Sequence, residues 1–231
     1  MIYFNDVALE SVAPVRVEDV RISPIERNVV ARARAIEPGS FFVRSRDGTR
    51  TVTITFAVLT QNMDDRAAQL MAVTNWARSD TPGALKLPGH SGRHLEAICT
   101  SYPEPSTRQW WESRLRLVFT CFDPYWISDT EKTAACGTAF TVLGNAMPLM
   151  QIKRTLASTA SSQSYSNGAQ TMTFSSIPAG SLTIDLNRQT AAVGTASIMQ
   201  NYVIGSAFVR PKLGAQTITG TGTVYWRERW A

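Results

Sequence analysis

The chain has 231 residues, 44% of them apolar, and its 19 Arg and 4 Lys outweigh 18 acidic residues by a net charge of +5. That length supplies cores for one or two domains of about 100 to 200 residues each. With neither a basic, apolar leader at the start nor any run of about 20 apolar residues, no signal peptide and no membrane span are expected.

The charge is uneven. Residues 1–129 hold fifteen basic and fifteen acidic side chains, whereas residues 130–231 hold eight basic ones against Glu131, Asp185 and Glu228. The break falls at Cys121-Phe122-Asp123-Pro124-Tyr125-Trp126-Ile127, where an alternating run gives way to a Ser/Thr/Gln/Gly-rich chain. Two β-rich modules in series, 1–129 and 130–231, are therefore expected. The excess of Arg over Lys suits protein interfaces, because guanidinium is planar, weakly hydrated and able to bind carboxylates through two parallel hydrogen bonds; codon usage favouring Arg gives the same composition. Glu18, Asp19, Glu26, Glu37 and Asp47 interrupt the Arg-rich stretch 16–50, so no basic stripe for specific nucleic-acid binding survives.

In chain order, the cleanest strand is 51–58, with Val52, Ile54, Phe56 and Val58 on one face and threonines on the other. Asp47-Gly48 before it is a turn signal that makes Phe41-Phe42-Val43-Arg44 its expected hairpin partner. A helix follows over about 63–78, with Asn62 placed to cap and Asp64 and Asp65 in the first turn. Its expected buried stripe is Ala67, Leu70, Met71, Thr74 and Ala77. Strands are expected at 95–99 and 113–121, the second burying Leu115, Leu117, Phe119 and Cys121. Between them, residues 102–111 are too Pro-rich for a central strand and too aromatic for a plain loop, so a protruding β-arm is expected there. In the second half, short patterned pieces at 171–174, 181–186, 191–193, 201–204 and 216–226, divided by Asn167-Gly168, Pro178-Ala179-Gly180 and Asn187-Arg188, predict an antiparallel sandwich or jelly roll. Cys99, Cys121 and Cys136 form no CxxC and are expected as free thiols.

Reactive chemistry is sparse. His90 and His94 lie four apart, but Pro88, Gly89 and Gly92 oppose the helix that would aim both at one metal, and nothing nearby completes a tetrahedral set. No Gly-x-Ser-x-Gly is present. Of the three acids in the second half, Glu228 sits between Arg227 and Arg229, which favour its ionised form over acid catalysis. No catalytic residue, metal or cofactor is expected. Sugar binding is the remaining small-ligand option, with Tyr202 and Tyr225 as possible glycan contacts; Val224 and Trp226 share a strand face with Ile218 and are expected in the core.

Five segments, in order, carry a resemblance to a known family: Ser23-Pro24-Ile25-Glu26-Arg27; Arg44-Ser45-Arg46-Asp47-Gly48-Thr49-Arg50; a helix ending in Trp76; Leu115 through Tyr125; and Gly220 through Trp230, with its Thr-Val-Tyr-Trp-Arg-Glu-Arg-Trp terminus. The chain resembles the distal tail proteins of siphophages, the phage tail component family. The resemblance implies a mainly β, two-domain, non-enzymatic virion protein of the tail tip, assembled in the host cytoplasm. The first domain would be a β-sandwich or barrel-like body with one helix and a β-arm. The second would be a galectin-like jelly-roll sandwich. The resemblance further implies a hexameric ring joining the tail tube protein to the tail-tip hub or tail-associated protein, in many members carrying a receptor-binding protein. Ring closure needs two different complementary patches per subunit, and Trp110, Trp111, Arg44, Arg46 and Arg50 are the expected interface residues. The alternative is a glycan-binding host-surface adhesin acting through the second sandwich.

Overall fold

The structure, a computed structural model, describes residues 1–33, 40–60, 63–103 and 114–231. It is mainly β, and the chain divides into two compact units, Met1–Trp126 and Ile127–Ala231.

The first unit contains β1 (Tyr3–Phe4), β2 (Val7–Ala8), the short α1 (Leu9–Val12), β3 (Val15–Ile22), β4 (Arg27–Ala33), β5 (Ser40–Asp47), β6 (Arg50–Val58), α2 (Met63–Ala77), β7 (Gly83–Lys86), β8 (Arg93–Ser101) and β9 (Arg114–Cys121). Antiparallel pairing gives the order β3-β6-β9-β8-β7-β1-β2. The alternation of β6 works as its sequence predicts. Val52, Ile54 and Phe56 are fully buried, opposite Phe119, Leu117 and Leu115 of β9. α2 covers this face: Leu70, Val73 and Ala77 are buried, and Trp76 packs edge-on against Phe4 and Phe119 at 5.9 and 6.2 Å. The indole N–H of Trp76 donates to the Val7 carbonyl at 2.9 Å.

Two local expectations change. The buried helix face is Arg66, Leu70, Val73 and Ala77, while Met71 is 64% exposed; Ala, Met and Val spread apolar character around most of α2, so spacing alone does not fix its rotation. β5 does not pair with β6, because both flanks of β6 are filled by β3 and β9. Its partner is β4. The Asn62 cap and the 104–111 part of the expected arm lie outside the described residues. His90 does lie in a turn, where its ring stacks on Trp126 at 3.9 Å. Burial holds its pKa below the ordinary value, with Arg93 and Arg50 adding to the effect.

β10 (Trp126–Ser128) lies at the seam of the two units. The second unit contains β11 (Lys132–Ala135), β12 (Ala139–Val142), β13 (Ala146–Leu156), β14 (Ala160–Ser166), β15 (Thr171–Ile177), β16 (Gly180–Asp185), β17 (Thr190–Val193), β18 (Ala196–Ser197), β19 (Gly214–Thr217) and β20 (Thr223–Trp230). One antiparallel sheet runs β18-β17-β16-β13-β20, with β11 on the far side of β20; β12–β19 and β14–β15 form two further pairs. Met150, Ile152, Leu182, Ile184, Val224 and Trp226 from the large sheet meet Phe140, Tyr165, Met172, Phe174 and Ile218 in one core, which makes this unit a sandwich.

Here too the sequence pattern needs correcting. Residues 201–204 are no strand: a 3-10 turn at Met199–Asn201 leads into a loop. The run 216–226 is two strands, interrupted by Gly220 and Gly222 at φ of +132° and +119°. A Cβ at Gly220 would stand 2.5 Å from a ring carbon of Tyr165. Glu228, weighed above as an acid, is 4% exposed and accepts from Lys132 Nζ at 2.8 Å and from the Leu143 N–H at 3.0 Å. It ties β11 and the β12–β13 connection to β20.

The thiols yield a pH prediction. Cys121 is fully buried opposite Arg50, and burial pushes its pKa up from 9.0 to about 12, with the Arg50 guanidinium opposing the rise. Its folded pKa lies above its unfolded one, so its contribution to stability is complete below pH 9 and is lost as pH climbs toward 12, at about 1.4 kcal/mol per unit. Urea midpoints at pH 9 and pH 10.5 should fall more steeply for the wild type than for Cys121→Ala; equal slopes would refute this origin.

Candidate functional site

β4 and β5 form a two-stranded ribbon that hydrogen-bonds to no third strand among the described residues. The register sets Arg27 opposite Asp47, Asn28 opposite Arg46, Val29 opposite Ser45 and Val30 opposite Arg44; a shift between Val30 and Ala31 then places Ala31 opposite Phe42. Such a shift marks a bulge, which increases local twist. Both faces carry exposed side chains. Val29, Val30, Phe42 and Val43 are 58%, 42%, 67% and 46% exposed, and Arg27, Arg32, Arg44 and Arg46 are exposed among them.

The ribbon's base is fixed. The Ser23 N–H donates to Thr51 O at 2.8 Å, the Glu26 N–H to Thr49 O at 3.0 Å and the Gly48 N–H to Glu26 O at 2.6 Å. The corner is tight: a Cβ at Gly48 would meet the Asn28 amide nitrogen at 2.7 Å and the Glu26 carbonyl oxygen at 3.2 Å. Tyr125 donates its hydroxyl hydrogen to Asp47 at the end of β5. Isolated two-stranded ribbons are marginal in water, and open strand edges with exposed apolar side chains invite pairing with another chain. This ribbon therefore has the chemistry of a docking element, combining apolar grip, four guanidinium groups and two open edges.

A second surface lies on the broad face of β3, β6 and β9, opposite α2. It is a hollow of about 550 Å³ lined by Glu18, Asp19, Arg21, Thr53, Thr55 and Arg116. Arg21 Nε meets Asp19 at 2.6 Å, and Arg16 meets Glu18 at 3.3 Å. Among the described residues β3 pairs only with β6, which leaves its outer edge open to them.

The expected interface residues are distributed unequally. Arg44 and Arg46 stand on the ribbon, whereas Arg50 is 7% exposed and faces Cys121, its pKa lowered chiefly by burial. Trp110 and Trp111 lie outside the described residues. Tyr202 lines a cleft of about 360 Å³ with Gln170, Gln189, Phe208 and Arg210. Tyr225 lies in a separate hollow of about 390 Å³ with Arg154, Ser181 and Thr223, and Lys153 Nζ sits 4.6 Å over its ring. Sequence reasoning missed Val29, Val30, Phe42 and Val43 as surface residues. Their signal was the Arg-rich composition of the stretch that contains them. Among the described residues no three His, Cys, Asp or Glu side chains gather to hold a metal, and no helix is long and apolar enough to cross a membrane.

Over its whole length the chain is similar to the SPP1 Dit (gp 19.1) protein, described as a paradigm of the hub adsorption apparatus in Gram-positive infecting phages. The two share 15% identity at a TM-score of 0.77, with 100% of this chain and 98% of that one covered. The chain has the Dit fold. Further similar chains belong to the phage P2 baseplate in its activated conformation. One, with Ca, shares 7% identity at a TM-score of 0.49, covering 94% of this chain and 90% of that one; the other, with Sr, shares 7% at 0.47, covering 93% and 90%. No protein-family model and no curated protein matches the sequence. The alignment with that protein spans the residues of both units.

Proposed function

We propose that the protein is a distal tail protein of a siphophage, a structural component of the tail tip that joins the tail tube protein to the hub through a ring of six copies. The observation that carries this reading is the Dit fold over the full chain, together with a rigidly based ribbon whose apolar and guanidinium groups have no cover of their own. In this reading residues 1–129 build the ring and residues 130–231 form the jelly roll. The ribbon of one copy, with Arg44 and Arg46, docks on the open β3 edge and the Glu18/Asp19 hollow of the next. Two unlike patches per subunit give a head-to-tail contact that can close. Trp110 and Trp111 belong to the same interface, Arg50 supports it from within, and the assembled virion is where the protein acts. The function is one of surfaces and requires no catalytic step.

Two variants test it by sedimentation. Arg44→Glu with Arg46→Glu, and separately Trp110→Ala with Trp111→Ala, should each convert the ring to monomers while circular dichroism stays that of the wild type. As hot spots, Trp110 and Trp111 should each cost about 2 kcal/mol or more on truncation. Rings that persist in both variants would refute the assignment.

A second role, host-surface adhesion through the second unit, is favoured by the cleft beside Tyr202.

A further inference from the structure

That cleft has one rigid wall. The Tyr202 and Phe208 rings stack with centroids 5.0 Å apart and planes 21° apart, and Phe174 meets them edge-on at 5.5 and 6.1 Å. The Tyr202 hydroxyl donates to the Ser206 carbonyl at 2.7 Å, fixing the ring's direction. The other walls are polar. The Gln170 side-chain oxygen accepts from the Arg210 backbone N–H at 3.0 Å, so its amide nitrogen is left to donate elsewhere. Gln189 lines the cleft from a left-handed backbone, φ +54°.

The charge around the cleft is one-sided. No acidic residue lines it, and no carboxylate pairs with Arg210 among the described residues. Elsewhere in the unit, Asp185 accepts the Asn187 and Arg188 backbone N–H groups, and Glu228 is engaged by Lys132. A fixed aromatic wall suits the C–H face of a sugar ring, side-chain amides suit its hydroxyls, and a free guanidinium suits an anion.

The geometry points to a binding site for an acidic glycan, a polyhydroxylated chain bearing carboxylate or phosphate groups, with Arg210 on the anion and Gln170 and Gln189 on hydroxyls. This inference rests on the adhesion reading and is independent of ring assembly. Isothermal titration of the full-length protein with a hyaluronan octasaccharide, a glycerol-phosphate oligomer and neutral maltoheptaose tests it. At least one acidic chain should bind, with maltoheptaose at least about tenfold weaker, and Arg210→Gln should lower the affinity about tenfold. Gln189→Gly should weaken binding by a smaller factor without lowering the unfolding midpoint, because glycine tolerates the left-handed backbone. Arg78→Gln, which removes the same charge from an exposed position of the first unit, should leave affinity unchanged. Which acidic chain binds separates carboxylate from phosphate recognition. No heat from either acidic chain up to about 1 mM, equal losses in Arg210→Gln and Arg78→Gln, or equally tight maltoheptaose binding would each overturn the proposal. Rings without glycan binding would sink this inference alone, and glycan binding without rings would sink the connector reading alone.

Discussion

Phe119→Ala is expected to destabilise the first unit by about 3–5 kcal/mol, a large fraction of the roughly 5–15 kcal/mol that holds a domain together. Phe119 is fully buried, opposite Val52 in the register, with Phe4 at 5.3 Å and Trp76 at 6.2 Å. Deleting the ring removes the common partner of an aromatic trio joining β1, α2 and β9, and a sheet covered by one helix cannot collapse to refill the space. Urea unfolding followed by tryptophan fluorescence reads the effect, since Trp76 borders the cavity. Thr53→Ala, on the opposite and partly exposed face of the same sheet, should change stability by no more than about 0.5 kcal/mol. Comparable losses in the two variants would mean that the helix-covered face is not the core.

Gly144→Ala should cost the second unit about 2–4 kcal/mol. Gly144 has φ +108° and bridges Arg229, and an added Cβ would stand 2.3 Å from the Arg229 carbonyl oxygen. The clash cannot be relieved cheaply, because that same oxygen accepts the Asn145 N–H at 3.2 Å and Asn145 in turn accepts from the Ala231 N–H at 2.7 Å. Gly137→Ala isolates the steric part. Its φ is +87°, but nothing lies within 4 Å of the added carbon, so only the backbone penalty of about 1–2 kcal/mol applies. Equal midpoints for the two variants would remove the argument from close approach.

How much of this was legible in the sequence depended on whether local chemistry and packing agreed. The alternation of β6 and β9 and the acidic first turn of α2 were readable because side-chain period and burial coincide there. The partner of β5 was not, because Asp47-Gly48 signals a corner without saying which strands flank it. β13, the longest strand at 11 residues, was overlooked because Pro148 and the polar Gln151 and Lys153 obscure an alternation that burial of Met150 and Ile152 makes plain. Residues 201–204 look like a strand by composition, yet Tyr202 is committed to a stack with Phe208 that only the fold creates. The ribbon was the hardest to read. Phe41-Phe42-Val43 has the composition of a core strand, and only the structure shows Phe42 and Val43 in solvent beside Arg44 and Arg46.

That exposure is the physical basis of the functional reading. An apolar, arginine-bearing ribbon with two open edges is unfavourable in water until another chain covers it. Electron-microscope imaging of the purified full-length protein, beside its Arg44→Glu, Arg46→Glu variant, tests this most directly. The expected result is a ring of six 25.4 kDa subunits around an axial hole for the wild type and dispersed single subunits for the variant. Single subunits from the wild type at every concentration, or rings that survive the double charge reversal, would contradict it.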